Sequence, residues 1–274
     1  MDRSRIAAGS LRREERGWEG WIVGSSRGRY VTRVTQRARR CAGVLGILLA
    51  CSVVPPARAD EIALPAPGSP TWRSLEFPRI ERHTAYGVEA DERALRARSA
   101  CAASGLLLPL DDIDLRQTPR LRWRWRIPQP IETARDERSK AGDDFAARVY
   151  VAFAFEPERA SLFERARRRL GAALYGEQLP GSALAYVWSR AEPAGASWEN
   201  PFVASSRMIS RGMGPLPDWR VEEVDLLADY TRFFGTEAPA ALFLAVMTDT
   251  DETCSEAEAL YADFWLLGRG GAPR

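Results

Sequence analysis

Residues 119–127 alternate polar and apolar side chains without a single interruption. In an extended strand, successive side chains point to opposite faces, so the apolar and the basic members separate onto two sides. The apolar side carries Leu121, Trp123, Trp125 and Ile127, and the other side carries Arg120, Arg122, Arg124 and Arg126. Each tryptophan buries roughly 150–250 Å² when it is covered. The segment therefore predicts a β-strand with its tryptophans in a core and its arginines on the opposite sheet face.

Most of the remaining chain reads as short strands separated by turn residues, a pattern typical of an all-β sandwich or barrel. Strands are predicted at residues 72–77, 86–89, 95–99, 145–155, 183–188, 202–209, 219–225, 241–247 and 260–267. The segment 145–155 is apolar on both faces, which predicts a strand covered on both sides. In residues 158–175, apolar side chains instead recur at intervals of three and four residues, which predicts one inserted amphipathic helix. A shorter helix is expected over residues 226–234, ending at Gly235.

Charge is distributed unevenly along the chain. Residues 1–59 contain 12 arginines and four acidic residues, which leaves 27 basic and 33 acidic residues in the rest. A main body with more acidic than basic groups is unlike a nucleic-acid-binding domain, which is strongly basic. Nucleic acid is therefore not expected as a partner.

The N-terminal part resembles an export signal. Basic residues at positions 37, 39 and 40 precede an apolar run over 41–54, and Ala57-Arg58-Ala59 has the small-x-small pattern of a signal-peptidase site. The run is shorter than the roughly 20 apolar residues that span a bilayer. We expect cleavage after Ala59, export to the periplasm and no transmembrane helix after processing. A lipoprotein signal ending at Cys51 is the alternative.

These patterns predict a simple domain organisation. Residues 1–59 are expected to be an extended N-terminus plus signal peptide, residues 60–70 a Pro-rich linker, residues 71–268 one β-domain and residues 269–274 a tail. Cleavage would leave two cysteines, Cys101 and Cys254, in an oxidising compartment, where one disulfide is possible. Two separately buried thiols are the alternative.

Lys140 is the single lysine in a chain that has 38 arginines. Lysine is a compact ammonium whose pKa shifts when it is buried, whereas arginine is a wide planar fork that stays charged. A position that keeps lysine in such a chain is a candidate site. Its neighbours Asp143, Asp144 and Arg148 complete a set of candidate catalytic groups, since a desolvated lysine or carboxylate can act as a general acid or base. The alternatives are a solvated loop lysine retained by chance and an ion-pair network without catalytic role.

A second acidic segment contains Asp249, Asp251 and Thr253. Carboxylates at every second residue of a loop can converge on one hard cation, because Ca²⁺ takes 6–8 oxygen ligands. A structural Ca²⁺ is therefore a hypothesis for this segment. The alternative is that these side chains accept hydrogen bonds from turn amides and pair with arginine.

Open sheet faces rich in tryptophan and arginine are the candidate ligand surface. Arg122, Arg124, Arg126 and Trp188 are the candidate ligand-binding residues. As a functional surface, the arginine row could meet an acidic polysaccharide or a phosphate; the alternative is a solvated sheet face with the arginines paired to carboxylates.

Several motifs together resemble a bacterial family of exported proteins of unknown function. The motifs are Ala103-Ser104-Gly105-Leu106, Leu121-x-Trp123-x-Trp125, Lys140-x-Gly142-Asp143-Asp144-Phe145-x-x-Arg148-Val149-Tyr150, Leu184-x-Tyr186-Val187-Trp188, Asp229-Tyr230-x-x-x-Phe234-Gly235 and Thr248-Asp249-Thr250-Asp251-x-Thr253. The resemblance covers most of residues 72–267. This chain has Glu252 and Ala185 where the usual members have asparagine. The first difference adds a carboxylate near the possible cation site, and the second removes a polar group from a strand.

The chain is also similar, in its pattern of strands and acidic loop, to jelly-roll carbohydrate-binding modules. The expected fold is thus all-β, a single jelly-roll-like β-sandwich of two antiparallel sheets with one inserted amphipathic helix. We expect a non-catalytic envelope binding module with a glycan-type ligand. The alternatives are an enzyme that acts on a cell-envelope saccharide through Lys140, Asp143 or Asp144, and a protein-interaction module near the membrane.

Overall fold

The structure is a computed structural model that describes residues 61–77, 79–158 and 180–270. Within these ranges the chain forms thirteen β-strands and one α-helix, α1, at Leu226–Phe234. The strands are β1 Glu61–Ala63, β2 Arg73–Leu75, β3 Ala85–Glu89, β4 Ala94–Ala100, β5 Ala103–Pro109, β6 Arg120–Gln129, β7 Ala147–Phe153, β8 Ser182–Ser189, β9 Ser197–Glu199, β10 Ser206–Met213, β11 Leu216–Asp225, β12 Ala241–Asp249 and β13 Glu256–Leu267. The expected signal peptide, Cys51, and all but the first residue of the helix predicted over 158–175 lie outside the described residues.

The strands form two sheets that pack into a β-sandwich. The first sheet has the order β11-β6-β13-β4-β3, with β1 also paired to β13, and the second has the order β2-β5-β12-β7-β8-β10-β9. One large apolar core takes side chains from both sheets. The predicted all-β, jelly-roll-like sandwich is therefore confirmed.

One strand pair departs from the antiparallel arrangement expected throughout. β10 runs parallel to β8, from Ser206 beside Ala183 to Ser210 beside Val187. Parallel neighbours need a crossover connection between them. The connecting segment here carries β9, which pairs antiparallel with the far side of β10.

Strand β6 lies as its alternation predicts. Trp123 and Trp125 are fully buried, and their rings meet edge to face with centroids 5.3 Å apart. Trp123 also contacts Tyr186 of the opposite sheet, with ring centroids 5.7 Å apart. These aromatic contacts join the two sheets at the centre of the core.

Strand β7 is covered on both faces, as its composition predicts. Val149, Val151 and Phe153 face the main core. On the outer face, Arg148 and Ala152 are buried, and Phe145 packs with β8, β9 and β10 in a second, smaller apolar cluster. The second sheet therefore carries a covered region on its outer face, beside the start of β7.

Helix α1 begins and ends where the sequence predicts. The carboxylate of Asp225 accepts a hydrogen bond from the amide of Ala228 at 2.9 Å and so caps the N-terminus. Gly235, with φ at 71°, ends the helix in the left-handed conformation, which glycine adopts without a Cβ clash.

Candidate functional site

The two acidic segments meet at one end of the second sheet. Asp143 and Asp144 precede β7, and Asp249 ends β12, the antiparallel neighbour of β7. The start of one strand therefore lies beside the end of the other. We call the group formed by Asp143, Asp144, Arg148, Asp249 and Asp251 the Arg148 cluster.

Arg148 lies at the centre of this cluster and is only 2% exposed. Its Nε donates to Oδ1 of Asp249 at 2.7 Å, and its Nη2 donates to the other carboxylate oxygen of Asp249. Nη1 donates to Oδ1 of Asp143 at 3.4 Å and to the hydroxyl of Tyr150 at 3.0 Å. The guanidinium lies over the ring of Phe145, 4.5 Å from its centroid. Arg148 is thus an internal cation with partners on all of its nitrogen atoms.

The carboxylate of Asp144 organises the loop that follows β12. It accepts hydrogen bonds from the amides of Glu252 and Thr253, at 3.2 and 2.6 Å. The Thr253 hydroxyl instead donates to the Ser255 hydroxyl, at 2.8 Å. Thr253 therefore contributes its backbone, and not its side chain, to the cluster.

Among the described residues, Asp144, Asp249 and Asp251 bring three carboxylate oxygens close enough together to bind a cation. One oxygen from each lies within 4.8 Å of the others. Both oxygens of Asp249 also accept hydrogen bonds from Arg148. A cation would therefore share Asp249 with the guanidinium, and the Ca²⁺ hypothesis stays a prediction.

Burial dominates the electrostatics of this cluster. It raises the pKa of Asp249 to about 8, although the neighbouring Arg148 charge acts in the opposite direction. Burial also raises the pKa of Asp143, again against Arg148. For Asp251, burial and the negative charge of Asp144 act together to raise the pKa. Asp143, Asp249 and Asp251 therefore hold protons more tightly than isolated carboxylates do.

Lys140 lies outside the Arg148 cluster. It begins the short 3-10 turn Lys140–Gly142, its side chain is exposed, and its Nζ lies 5.4 Å from the ring centroid of Phe202. Gly142 ends the turn, and a Cβ at this position would collide with the carbonyl group of Asp136. The turn thus carries Asp143 and Asp144 inward and leaves Lys140 at the surface.

Three residues that the sequence patterns did not single out hold this segment in place. Arg190 donates to the carbonyl of Gly142 at 2.7 Å and to that of Asp144. Asn200 donates to Oδ2 of Asp143 at 3.1 Å. Glu137, which is 3% exposed, accepts hydrogen bonds from the Ser189 hydroxyl and from the amide of Arg190, the latter at 2.8 Å. Their roles depend on contacts distant in sequence, and no local motif indicates them.

The arginine row of β6 lies on the outer face of the first sheet, as predicted. Its side chains pair with carboxylates from neighbouring strands and turns. The ion pairs that involve this row and the adjacent strand β4 are Arg96–Glu89, Arg96–Glu258, Arg98–Glu258, Arg120–Glu223, Arg122–Glu61, Arg122–Glu223, Arg124–Asp263 and Arg126–Glu92. We call this surface, together with Trp219, the arginine face.

Trp219 is the aromatic residue of the arginine face. It is half-buried, and the guanidinium of Arg124 lies over its ring, 4.2 Å from the centroid. Arg126 lies 5.6 Å from the same centroid. The indole Nε1 donates to the Glu92 carboxylate at 3.1 Å. Trp219 rests on the small apolar cluster of Ala94, Leu260 and Ala262.

Trp188 does not join the arginines with which the sequence grouped it. Its ring faces the core, with its centroid 6.1 Å from that of Trp125, and its Nε1 donates to the Gly214 carbonyl at 2.7 Å. It forms one wall of a pocket of about 120 Å³ that Arg190 also lines. The three arginines of that group, Arg122, Arg124 and Arg126, lie on the opposite side of the first sheet.

A disulfide joins Cys101 and Cys254, which are 153 residues apart in the sequence. It links the turn between β4 and β5 to the loop that precedes β13. The same loop carries Asp251 and Thr253. The bond that the cysteine count allows is therefore present, next to the Arg148 cluster.

Several solved structures are similar to this chain in fold. The family 11 carbohydrate-binding module from Clostridium thermocellum, solved with a β-1,3-1,4-mixed-linked tetrasaccharide, is 8% identical, with a TM-score of 0.38 over 76% of this chain and 95% of that chain. The family 30 carbohydrate-binding module of a cellulosomal cellulase of Clostridium thermocellum is 12% identical, with a TM-score of 0.41 over 77% of this chain and 99% of that chain. A thermostable variant of the Cel12A cellulase of Rhodothermus marinus is 14% identical, with a TM-score of 0.38 over 74% of this chain and 96% of that chain.

The remaining comparisons concern sequence and membrane spans. No curated protein matches the chain. Among the described residues, no helix has both the length and the apolar character that crossing a membrane requires. A protein-family model described as "Protein of unknown function (DUF3047)" matches residues 70–265. This match covers well over half of the sequence, and the chain therefore belongs to that family of proteins of unknown function.

Proposed function

We propose that this protein is an exported, non-catalytic binding module that takes a neutral glycan on the arginine face. The observation that carries the proposal is the position of Trp219 on that face. The Arg124 guanidinium lies over the half-buried indole and Arg126 lies nearby, so a sugar ring would meet the stacked guanidinium plane and the uncovered edge of the indole. This surface therefore combines an aromatic ring with polar guanidinium groups, as ligand-binding sites commonly do.

The balance of charge on this face favours a neutral ligand. Six arginines meet six carboxylates there, namely Arg96, Arg98, Arg120, Arg122, Arg124 and Arg126 with Glu61, Glu89, Glu92, Glu223, Glu258 and Asp263. An anionic polysaccharide or a phosphate would need an excess of unpaired cations. A hydroxyl group both donates and accepts hydrogen bonds, so a neutral glycan can use guanidinium and carboxylate groups alike.

The arginine face is also long enough for an extended chain of sugars. Four arginines alternate along β6 from Arg120 to Arg126. At about 3.4 Å per strand residue, they span roughly 20 Å. Their side chains are 20–27% exposed, so their outer edges reach solvent while their ion pairs hold them in place.

The Arg148 cluster supports a structural role and not a catalytic one. Its candidate catalytic carboxylates, Asp143 and Asp144, are buried, and Arg148 occupies both oxygens of the buried Asp249. A general acid or base must come within hydrogen-bond reach of its substrate. Lys140 is exposed but points to Phe202 and lies apart from the cluster. Lys140, Asp143 and Asp144 therefore do not form the accessible pair of groups that the enzyme alternative needs.

Export is part of the proposal, with cleavage after Ala59 and a periplasmic location. The disulfide between Cys101 and Cys254 supports it, because disulfides persist in oxidising compartments and are rare in the cytosol. Mass spectrometry of the protein recovered from the envelope tests this point. An N-terminus at Asp60 is expected, and a lipid-modified Cys51 would support the lipoprotein alternative.

Isothermal titration calorimetry of the mature protein against neutral polysaccharides, with an anionic polysaccharide as the comparison, tests the ligand. We expect binding of a neutral polysaccharide that Trp219→Ala weakens tenfold or more, which is about 1.4 kcal/mol. Phe202→Ala is the matched control, because Phe202 is an aromatic residue that is 44% exposed and lies beside the second sheet. Binding that Phe202→Ala abolishes and Trp219→Ala leaves intact, or binding of the anionic polymer alone, would contradict the proposal.

A further inference from the structure

We infer that the Cys101–Cys254 disulfide is a redox-sensitive latch on the loop that completes the acidic end of the second sheet. We call residues 251–255 the acidic loop. The inference concerns a different part of the molecule from the arginine face and goes beyond the proposed glycan binding.

The residue that precedes the acidic loop is firmly anchored without the disulfide. Thr250 donates its amide to the Ala102 carbonyl at 2.9 Å, and its hydroxyl lies 2.8 Å from that of Ser99. Both Thr250 and Ser99 are buried. The chain is therefore fixed up to Thr250, whatever the state of the cysteines.

The acidic loop itself has few other attachments. The amides of Glu252 and Thr253 donate to the Asp144 carboxylate, and the exposed Arg135 donates to the Glu252 carbonyl. At the far end, the Cys101 amide donates to the Ser255 carbonyl at 2.9 Å. Cys101 is thus tied to the loop by both its backbone and its sulfur. Reduction removes the covalent one of these links.

Both cysteines have backbone conformations that favour movement after reduction. Cys101 has φ at 50° and Cys254 has φ at 53°. Residues with a Cβ disfavour this left-handed region, and they stay there only where the surrounding structure holds them. Without the disulfide, the constraint on both residues is weaker, and relaxation toward negative φ would pull the loop away from Asp144.

The bond is open to attack from solvent. Cys254 is exposed, and Cys101 is half-buried. A thiolate of a dithiol reductant attacks Sγ of Cys254, forms a mixed disulfide and displaces the thiolate of Cys101, which then takes up a proton. The second thiol of the reductant attacks the mixed disulfide and releases Cys254 as a thiol. Two electrons pass to the protein disulfide, and the dithiol leaves as its own disulfide.

The change is expected to be local because the sheet around the latch does not depend on it. β4 and β13 pair antiparallel from Ala100 beside Glu256 to Leu95 beside Tyr261. The core strands β7 and β12 both precede Thr250 in the sequence, so they are not part of the acidic loop. Reduction should free the acidic loop, with Asp251 and Glu252, and leave the sandwich assembled.

The test treats the full mature protein with dithiothreitol under native conditions and follows amide hydrogen exchange, with alkylation and mass spectrometry to count free thiols. We expect exchange at Glu252 and Thr253 to accelerate about tenfold or more, while the amides of Val149 and Val246 keep their protection. Equal loss of protection in the loop and in the core would overturn the inference, because the disulfide would then stabilise the whole fold and not the loop alone. Reduction of the disulfide only when the whole protein unfolds would also overturn the inference.

Variants sharpen the result. The double change Cys101→Ser with Cys254→Ser should give the exchange pattern of the reduced protein, and the dithiothreitol experiment decides the matter if that variant does not fold. Arg135→Gln removes the exposed side-chain anchor, so it should increase the rate of reduction severalfold. Thr253→Ala keeps the backbone donor to Asp144, so it should leave that rate unchanged. If the disulfide of the Arg135→Gln variant is reduced at the same rate as that of the unmodified protein, the claim that few contacts hold the acidic loop would be contradicted.

Discussion

Arg148 donates hydrogen bonds to both carboxylate oxygens of Asp249, across 101 residues of sequence and with both side chains buried. The pair joins β7 to the end of β12 and holds the backbone of Phe145, whose amide also donates to Asp249 at 3.2 Å. Removing Arg148 leaves buried oxygens of Asp249 and Asp143 without a hydrogen-bond donor, and removing Asp249 leaves the guanidinium as an uncompensated buried charge.

Arg148→Met should therefore destabilise the protein by roughly 3–5 kcal/mol, because several buried oxygens lose their donor at about 1–3 kcal/mol each. Urea unfolding followed by tryptophan fluorescence measures the change. Asp263→Asn is the control, since Asp263 is an exposed partner of Arg124 and such surface pairs contribute about 0–1 kcal/mol. An Arg148→Met protein as stable as the Asp263→Asn protein would mean that the cluster contributes little.

The raised pKa of Asp249 predicts a loss of stability as pH rises. Below its ordinary value of 3.8, both the folded and the unfolded state carry the proton; between 3.8 and about 8, the folded state keeps the proton that the unfolded state has lost. The folded state then binds more protons, so stability falls with pH across this window, by at most about 1.4 kcal/mol per pH unit for one group. Asp143 and Asp251, whose pKa values are also raised, act in the same direction.

Urea unfolding at pH 5, 6, 7 and 8 measures this dependence. Asp249→Asn removes the titrating group and should flatten the slope, even though the variant is less stable overall. Stability that rises between pH 5 and pH 8 would contradict the assignment.

Gly142→Ala should lower stability because a Cβ at residue 142 would collide with the backbone of Asp136. The backbone must move, so we expect a loss of about 1–3 kcal/mol. Gly87→Ala, at a strand position where a Cβ meets nothing within 4 Å, is the matched control and should be neutral or slightly stabilising. Thermal unfolding of the two variants separates the outcomes, and equal melting temperatures would contradict the expectation.

The Ca²⁺ hypothesis predicts that added Ca²⁺ raises the melting temperature. A stabilisation of about 2.7 kcal/mol is expected at a hundredfold excess over the dissociation constant. Asp251→Asn should abolish the rise, because Asp251 contributes one of the three converging carboxylates. Thr253→Ala should preserve it, since the Thr253 hydroxyl contacts Ser255. Calorimetry that detects no Ca²⁺-dependent change would remove the metal from consideration.

Sequence patterns predict the parts of this fold that depend on local periodicity. Strand β6 alternates strictly, and helix α1 lies between a capping Asp225 and Gly235. Strand β5 is different, because Ala103–Pro109 is a short apolar run that contains glycine and has no alternation. Its identity as a strand depends on β2 and β12, between which it pairs.

The candidate site was predictable in its acidic segments but not in its supporting residues. Asp143, Asp144 and Asp249 stand at strand boundaries, where antiparallel pairing brings them together. Asn200 and Arg190 reach the same segment from positions 57 and 48 residues away. Lys140 is the single lysine of the chain, yet rarity in composition does not determine how deeply a residue is buried, and the turn leaves Lys140 at the surface.

The pairing of every arginine on the arginine face has a consequence for how that surface meets its surroundings. Groups that already neutralise one another project little field beyond the Debye length of about 8 Å at physiological ionic strength. Attachment there would proceed through short-range exchange of hydrogen-bond partners, without electrostatic steering from a distance. Such adhesion would tolerate changes in salt, which suits the proposed export of this protein.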